Sequence, residues 1–219
     1  MNRIKAIDET LFWWVNGHHN IVADWSLWTA SQKWSWAIVI VAVAFFIVFF
    51  DRFSAKPGER YQVEGTTGQS VISLKRRVYN TLWLLAGVAL CFLLADQISN
   101  NAIKEGVQRL RPCYGLEDVR MFRTGKGGLY GFPSSHAANA FAITMFFMLV
   151  YRNITTRKSH WFPIVMLFWA IVVAYSRVYL GKHYPLDVIC GSLLGIGVGA
   201  AVYFAISRIR LFISSRREA

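Results

Sequence analysis

An all-α bundle that crosses a membrane several times is the fold class this sequence predicts, and three observations predict it. Hydrophobic residues make up 55% of the 219 positions and charged residues only 16%, against about 25% charged in soluble domains. The apolar residues gather in runs near the length of about 20 that a helix needs to cross a bilayer, separated by polar connections. Nine Trp and nine Tyr join Lys and Arg in an unusually rich set of interfacial residues, which suits membrane boundaries. The net charge of +12 fits the same picture. The basic residues flank apolar runs rather than lining one helix face, so they read as topology signals and not as a nucleic-acid surface.

The chain reads as a single membrane domain, 1–219, with no internal repeat. Residues 5–17 form an amphipathic helix with Leu11, Trp14 and Val15 on one face, Asp8 and Glu9 in the first turn and Gly17 as a C-cap. This run is too short and polar to cross, so 1–33 is assigned as an interfacial N-terminal helical segment. Its polar residues Asn16, His18, His19 and Asn20 also exclude a signal peptide. The first span is expected at 34–50, followed by a polar connection over 51–79. The second is expected at 80–98, with its helix continuing in water through Arg109. The glycine-rich loop 110–133 reads as irregular and mobile. The third span covers 135–151, the fourth 161–178 and the fifth 186–207, where Pro185 suits the first helical turn. Gly191, Gly195 and Gly199 recur every four residues, a pattern that allows close helix packing. Cys91, Cys113 and Cys190 show no disulfide framework. Five spans are thus expected, with six as the alternative if 5–28 also cross.

Three polar clusters interrupt this apolar background, all within 104–187. The first is Lys104 with Arg111 and Pro112. The second is Pro133, Ser134, Ser135 and His136, and the third is Ser176, Arg177, His183 and Asp187. Ionisable groups at span ends usually mark function. The order of spans places all three clusters at one end of an antiparallel bundle. The stretches 75–77, 152–158 and 208–217 concentrate Lys and Arg at the other end, which marks that end as cytoplasmic. The clusters then face the periplasm or the outside of a bacterial inner membrane.

Each cluster suits phosphate chemistry. Lys104 and Arg111 are two helical turns apart, and two fixed cations can hold phosphate oxygens. Alone, such a pair is more often an interfacial anchor. Ser134 and Ser135 sit where a helix N-terminus offers free N–H groups to an anion, although Ser at this place is also an ordinary cap. His136 is placed to act as a general acid. His183 and Asp187, four apart, allow the carboxylate to fix the imidazole tautomer and leave the other nitrogen as nucleophile. Arg177 adds a third cation.

Together these residues match K-x6-R-P, P-S-x-H and S-R-x5-H-x3-D in order, over about 104–187. The chain resembles the type 2 phosphatidic acid phosphatase superfamily, whose phosphate site is shared with bacterial acid phosphatases and vanadium haloperoxidases. One departure is Ser135, where the family's second motif usually has Gly. The resemblance implies a phosphatase that needs no metal or other cofactor. By the same resemblance His183 attacks phosphorus to form a phosphohistidine, oriented by Asp187. His136 protonates the leaving oxygen and then activates water, while Lys104, Arg111, Ser134, Ser135 and Arg177 bind the phosphate.

Because the site lies at helix ends with no soluble lid domain, the expected substrate is a lipid phosphate or pyrophosphate entering from the membrane. It would be of the undecaprenyl pyrophosphate, lipid A or phosphatidylglycerophosphate type, with headgroup selectivity in Arg120, Arg123 and Lys126. A lipid phosphotransferase using the same intermediate is the alternative enzyme. A non-catalytic lipid-binding or transport protein is the alternative of another class.

Overall fold

The computed structural model describes residues 3–49, 74–154 and 161–218. Most of the connection expected at 51–79, and 155–160 of the basic loop, lie outside the described residues. Nine α-helices are seen among the described residues: α1 Arg3–Gly17, α2 Ile21–Ala30, α3 Lys33–Phe49, α4 Leu74–Gln97, α5 Glu105–Val107, α6 Pro112–Gly115, α7 Ser135–Ile154, α8 Trp161–Tyr179 and α9 Pro185–Glu218. A π-helical turn, Ile98–Lys104, joins α4 to α5.

Among the described residues, three helical stretches are long and apolar enough to cross a membrane: Tyr79–Val107, Trp161–Tyr179 and Pro185–Ile213. Their outward faces carry exposed large apolar side chains, among them Leu82, Phe92, Ile164, Phe168, Ile189 and Leu193. Apolar surface on this scale needs a nonaqueous covering, so the protein is a multi-pass membrane protein. The helices expected at 34–50 and 135–151 are present. Among the described residues they are not counted with those three, the apolar helix described in the first being Trp34–Val43. For α7 the reason is its surroundings. Ala137, Ala138, Ala140 and Ala142 are fully buried, so this central helix faces other helices and needs less hydrophobicity than a lipid-facing one. At 34 residues, α9 is about 50 Å long at 1.5 Å per residue, so it overruns the expected limit at 207 and the hydrocarbon thickness of about 30 Å.

The packing of α7 on α9 sets the site. A Cβ at Gly191, Gly195 or Gly199 would collide with the carbonyl oxygens of Ser134, Ala138 and Ala142 respectively. The glycine stripe lets the two backbones touch, and it brings the start of α7 to the start of α9. There the Ser134 amide donates to the Asp187 carbonyl at 2.9 Å. Below this, Phe146, Phe147, Ile143, Met166 and Val202 fill one apolar core.

The N-terminal segment contains two helices rather than one. Asn20 caps α2 by accepting from the Ala23 amide at 2.8 Å, a local signal of the usual kind. On α1, Ile4, Ile7, Leu11 and Trp14 form an exposed apolar stripe, whereas Val15 turns inward with Phe12. Asp8 and Asn16 share that inward face. Asp8 is therefore a buried partner of the bundle, not a solvated first-turn charge.

The loop 110–133 is held at several points. Asn16 donates to the carbonyls of Arg120 (2.9 Å) and Tyr179 (2.8 Å) and accepts from the Arg120 amide (3.1 Å). Trp28 donates to the Arg123 carbonyl at 3.2 Å, and the Gly131 amide donates to Arg109 at 2.8 Å.

Candidate active site

The three sequence clusters meet at one end of the bundle. The π-helical turn delivers Lys104, and such turns recur at functional sites. Its ammonium donates to Ser135 Oγ at 2.6 Å and to Asn100 Oδ1, and Ser135 Oγ also donates to Asn100 at 2.8 Å. Lys104 is buried and fixed by these two neighbours. The helix expected to run through Arg109 ends at Val107, because Gln108 takes a left-handed φ of 51°. Arg111 thus reaches the site from the turn after the helix, braced by its amide bond to the Leu129 carbonyl at 3.1 Å.

Arg111 Nη1 lies 3.0 Å from His183 Nε2. A guanidinium only donates, so Nε2 is the acceptor and the ring proton sits on Nδ1. Arg111 Nε also donates to the Gly128 carbonyl at 2.7 Å. His183 Nδ1 is buried without a hydrogen-bond partner among the described residues and stands 3.7 Å from Asp187 Oδ2, beyond hydrogen-bond length. The expected contact between the two is therefore an aligned approach. Such contacts are often long before substrate binds. Burial first, then Arg111, Arg177 and Lys104, push the His183 pKa well below its usual value. The ring is neutral, with a lone pair on Nε2.

Asp187 is fully buried and fixed by others. It accepts from Arg109 Nη1 at 2.7 Å and from the Tyr184 amide at 3.0 Å. Arg109 stacks over the Tyr184 ring at 4.2 Å, and its Nη2 donates to Asp8 at 2.5 Å. Asp8 also accepts from the Leu186 amide in the first turn of α9, at 2.8 Å. One chain of charges thus runs from the N-terminal helix to the carboxylate beside His183. A Cβ at Gly131 would stand 3.1 Å from both Asp187 Oδ2 and Arg111 Cγ, so this close approach depends on glycine.

The turn after α8 places His183 against Arg177. The amides of Lys182 and His183 both donate to the Arg177 carbonyl, at 2.9 and 3.1 Å. Gly181 adopts φ +73°, where a Cβ would meet the Arg120 carbonyl at 2.7 Å. Arg177 is buried and its Nε lacks a partner among the described residues. Ser134 accepts from the Ala137 amide at 3.4 Å, the capping contact. His136 packs edge-on against Trp36, ring centroids 5.6 Å apart. It opens with Arg177, Lys182 and Arg123 onto a cavity of about 590 Å³.

The chain matches the model of the PAP2 superfamily over residues 80–210. It belongs to that superfamily. This PAP2 chain is 28% identical to a lipid A 4'-phosphatase of Porphyromonas gingivalis over 99% of its own length and 78% of the relative's. It is 35% identical to a lipid A 4'-phosphatase of Bacteroides thetaiotaomicron over 58% of its length and 55% of the relative's. Its fold is similar to the crystal structure of a transmembrane PAP2-type phosphatidylglycerolphosphate phosphatase from Bacillus subtilis, with TM-score 0.63 and 19% identity over 97% of this chain and 89% of the other. Aquifex aeolicus LpxE is similar at TM-score 0.58 and 19% identity, over 90% and 94%. The PAP2 chain is a phosphatase, and its relatives are phosphatases of membrane lipids.

Four residues beside this site carried no motif signal: Asp8, Asn100, Arg109 and Lys182. Arg109 stands two positions before Arg111, and Lys182 directly precedes His183, so adjacency was the available hint. Asp8 lies outside the residues matched to the PAP2 model, and only its contacts connect it to Asp187. Of the three loop cations expected to read the headgroup, Arg120 is bound in a fork to Asp24 at 2.8 and 2.6 Å. It anchors the loop to α2. Arg123 lies over Trp25 (4.7 Å) and Trp28 (5.3 Å) and lines the cavity.

Proposed function

We propose that this PAP2 phosphatase hydrolyses a phosphorylated membrane lipid through a phosphohistidine on His183. The observation that carries the reading is the state of that ring. It is neutral, with its proton on the nitrogen facing Asp187 and its lone pair on the nitrogen facing Arg111. A phosphate entering the site offers Arg111 a better acceptor and frees Nε2 for attack on phosphorus. Nε2–P then forms as the bond to the leaving oxygen breaks, and His136 supplies that oxygen with a proton. In the second step His136 takes a proton from water, which attacks phosphorus and releases His183 and inorganic phosphate. Lys104, Arg111, Arg177 and the start of α7 with Ser134 and Ser135 hold the equatorial oxygens, where fixed charges lower the barrier most. Asp187 steadies the imidazole as charge develops on it.

The two lipid A 4'-phosphatases among the relatives put a phosphorylated saccharolipid first among substrates, ahead of undecaprenyl pyrophosphate and phosphatidylglycerophosphate. The proposed topology is five spans with the site facing outward. Asp8 reaches the first turn of α9 and Phe12 meets Tyr184 edge-on at 5.6 Å. Helix α1 therefore lies at the site end and shows its apolar stripe outward, which supports an interfacial helix over a sixth span. The test is phosphate release by detergent-purified protein across a panel of lipid phosphates in excess chelator. Turnover of at least one, lost in His183→Ala, is expected. Activity that requires added magnesium, or no turnover of any lipid phosphate, overturns the reading.

A further inference from the structure

The site holds one cation more than a single phosphoryl group uses. Lys104, Arg111 and Arg177 already match three equatorial oxygens. Lys182 remains, with only 6% of its surface exposed. Among the described residues its ammonium has neither a carboxylate nor a hydrogen-bond partner, and only its backbone is engaged, through Arg177 and Arg111. Its stem is buried while its unpaired ammonium reaches the open space of a cavity, and a perturbed cation in a cleft commonly marks function. Burial first, and then Arg177, lower its pKa to about 8.

The position of Lys182 says which part of a substrate it meets. Nucleophile and leaving group stand on opposite sides of phosphorus in an in-line transfer. His183 is the nucleophile in the reading above, on which this inference rests, and His136 serves the leaving oxygen. Lys182 lines the same 590 Å³ cavity as His136, so it faces the leaving-group half. Arg177 lines it as well, where the transferred group and the leaving group meet; the other walls are Arg123, held by its two tryptophans, and Ser31, Gln32, Trp34, Thr124 and Gly125. Among the described residues no acidic one lines this cavity.

We propose that Lys182, in the His136 cavity, forms a second anion subsite, which takes a phosphoryl group of the substrate other than the one transferred. The substrate class is then a lipid with two phosphates, joined either as a diphosphate or through a sugar headgroup.

The experiment compares wild type, Lys182→Met and Lys182→Arg. Methionine keeps the buried apolar stem, so folding is preserved, and arginine keeps the cation. Binding of inorganic pyrophosphate and of orthophosphate is measured by calorimetry. Turnover is measured on two substrate pairs: an isoprenyl diphosphate against its monophosphate, and a disaccharide lipid phosphorylated at both ends against one end. The preference for pyrophosphate over orthophosphate should fall about 10- to 100-fold in Lys182→Met, the range of one charge-assisted hydrogen bond, and return in Lys182→Arg. The substrate pair whose selectivity falls with it identifies how the second phosphate is attached. An equal loss for both inorganic anions assigns Lys182 to the transferred phosphate, and no change in either leaves it without a ligand; each result overturns the subsite. Wild type that prefers pyrophosphate yet hydrolyses no lipid phosphate would refute the lipid phosphatase reading and leave the subsite standing.

Discussion

Replacing Asp8 tests whether the N-terminal helix takes part in the chemistry. Asp8 makes two strong contacts, to Arg109 at 2.5 Å and to the Leu186 amide at 2.8 Å. In Asp8→Ala the Leu186 donor loses its acceptor, which costs about 1–3 kcal/mol. The Arg109 contact is partly open to water, since 22% of the Arg109 side chain is exposed, so its loss adds only about 0.5–1 kcal/mol. Stability should fall by about 1.5–4 kcal/mol on these principles. Catalysis should suffer separately. Without Asp8, Arg109 keeps its bond to Asp187 and its stack on Tyr184 but loses the brace on its other nitrogen, so it holds Asp187 less firmly. Deleting a triad carboxylate outright costs about 10⁴ in kcat, so loosening one should cost about 10- to 100-fold. Asp8→Asn separates the two effects. Its carbonyl can still accept from Leu186, but its amide then points an N–H at Arg109. We expect nearly wild-type thermal stability in detergent, a kcat at least about tenfold lower, and a KM that changes less. A normal kcat per folded molecule in Asp8→Asn would refute the positioning role.

Other outcomes follow from the same geometry. Arg111→Met should lower kcat/KM by about 10²–10³, the usual loss for one transition-state donor. It should also move the acid limb of the pH profile up, because Arg111 is among the charges that hold the His183 pKa down; an unmoved limb would contradict this. The sign for stability is also set: His183 is neutral when folded, and unfolded histidine takes a proton below about 6.5. Its contribution is therefore full above that pH and is lost as pH falls, and a replacement neutral at all pH values should flatten the acid side of the stability curve. Gly195→Ala should destabilise by about 1–3 kcal/mol, as overpacking does, because its Cβ meets the Ala138 carbonyl; an unchanged apparent Tm would show that α7 and α9 can part without loss. Arg120→Ala should lower stability through the stranded Asp24 carboxylate and leave the ranking of lipid headgroups as it was. A changed ranking in a lipid-panel assay would restore Arg120 to substrate reading.

Much of the site was legible because its chemistry sits at helix ends. Lys104, His136, Arg177, His183 and Asp187 stand beside span limits that hydropathy reveals, and an antiparallel bundle must gather them. The glycine stripe of α9 was legible for a similar reason, since a period of four puts small residues on one helix face. The rest depended on contacts between distant parts of the chain. Asp8 meets Arg109 across 101 positions, and no local pattern encodes that pairing. The π-helical turn at Lys104 changes helical register without a Gly or Pro to announce it. Arg120 read as a free loop cation because Asp24, its partner, lies in a helix that the aromatic boundary signal concealed. Hydropathy likewise undervalued α2 as structure.

The central claim is covalent chemistry at His183, and trapping the intermediate tests it most directly. Rapid alkaline quench of the enzyme turning over a ³²P-labelled lipid phosphate, followed by peptide mapping, reads the attachment site. We expect acid-labile, alkali-stable label on the peptide containing His183, and none in His183→Ala. A turning-over wild type that carries no label on His183, or label on another side chain, would contradict the account.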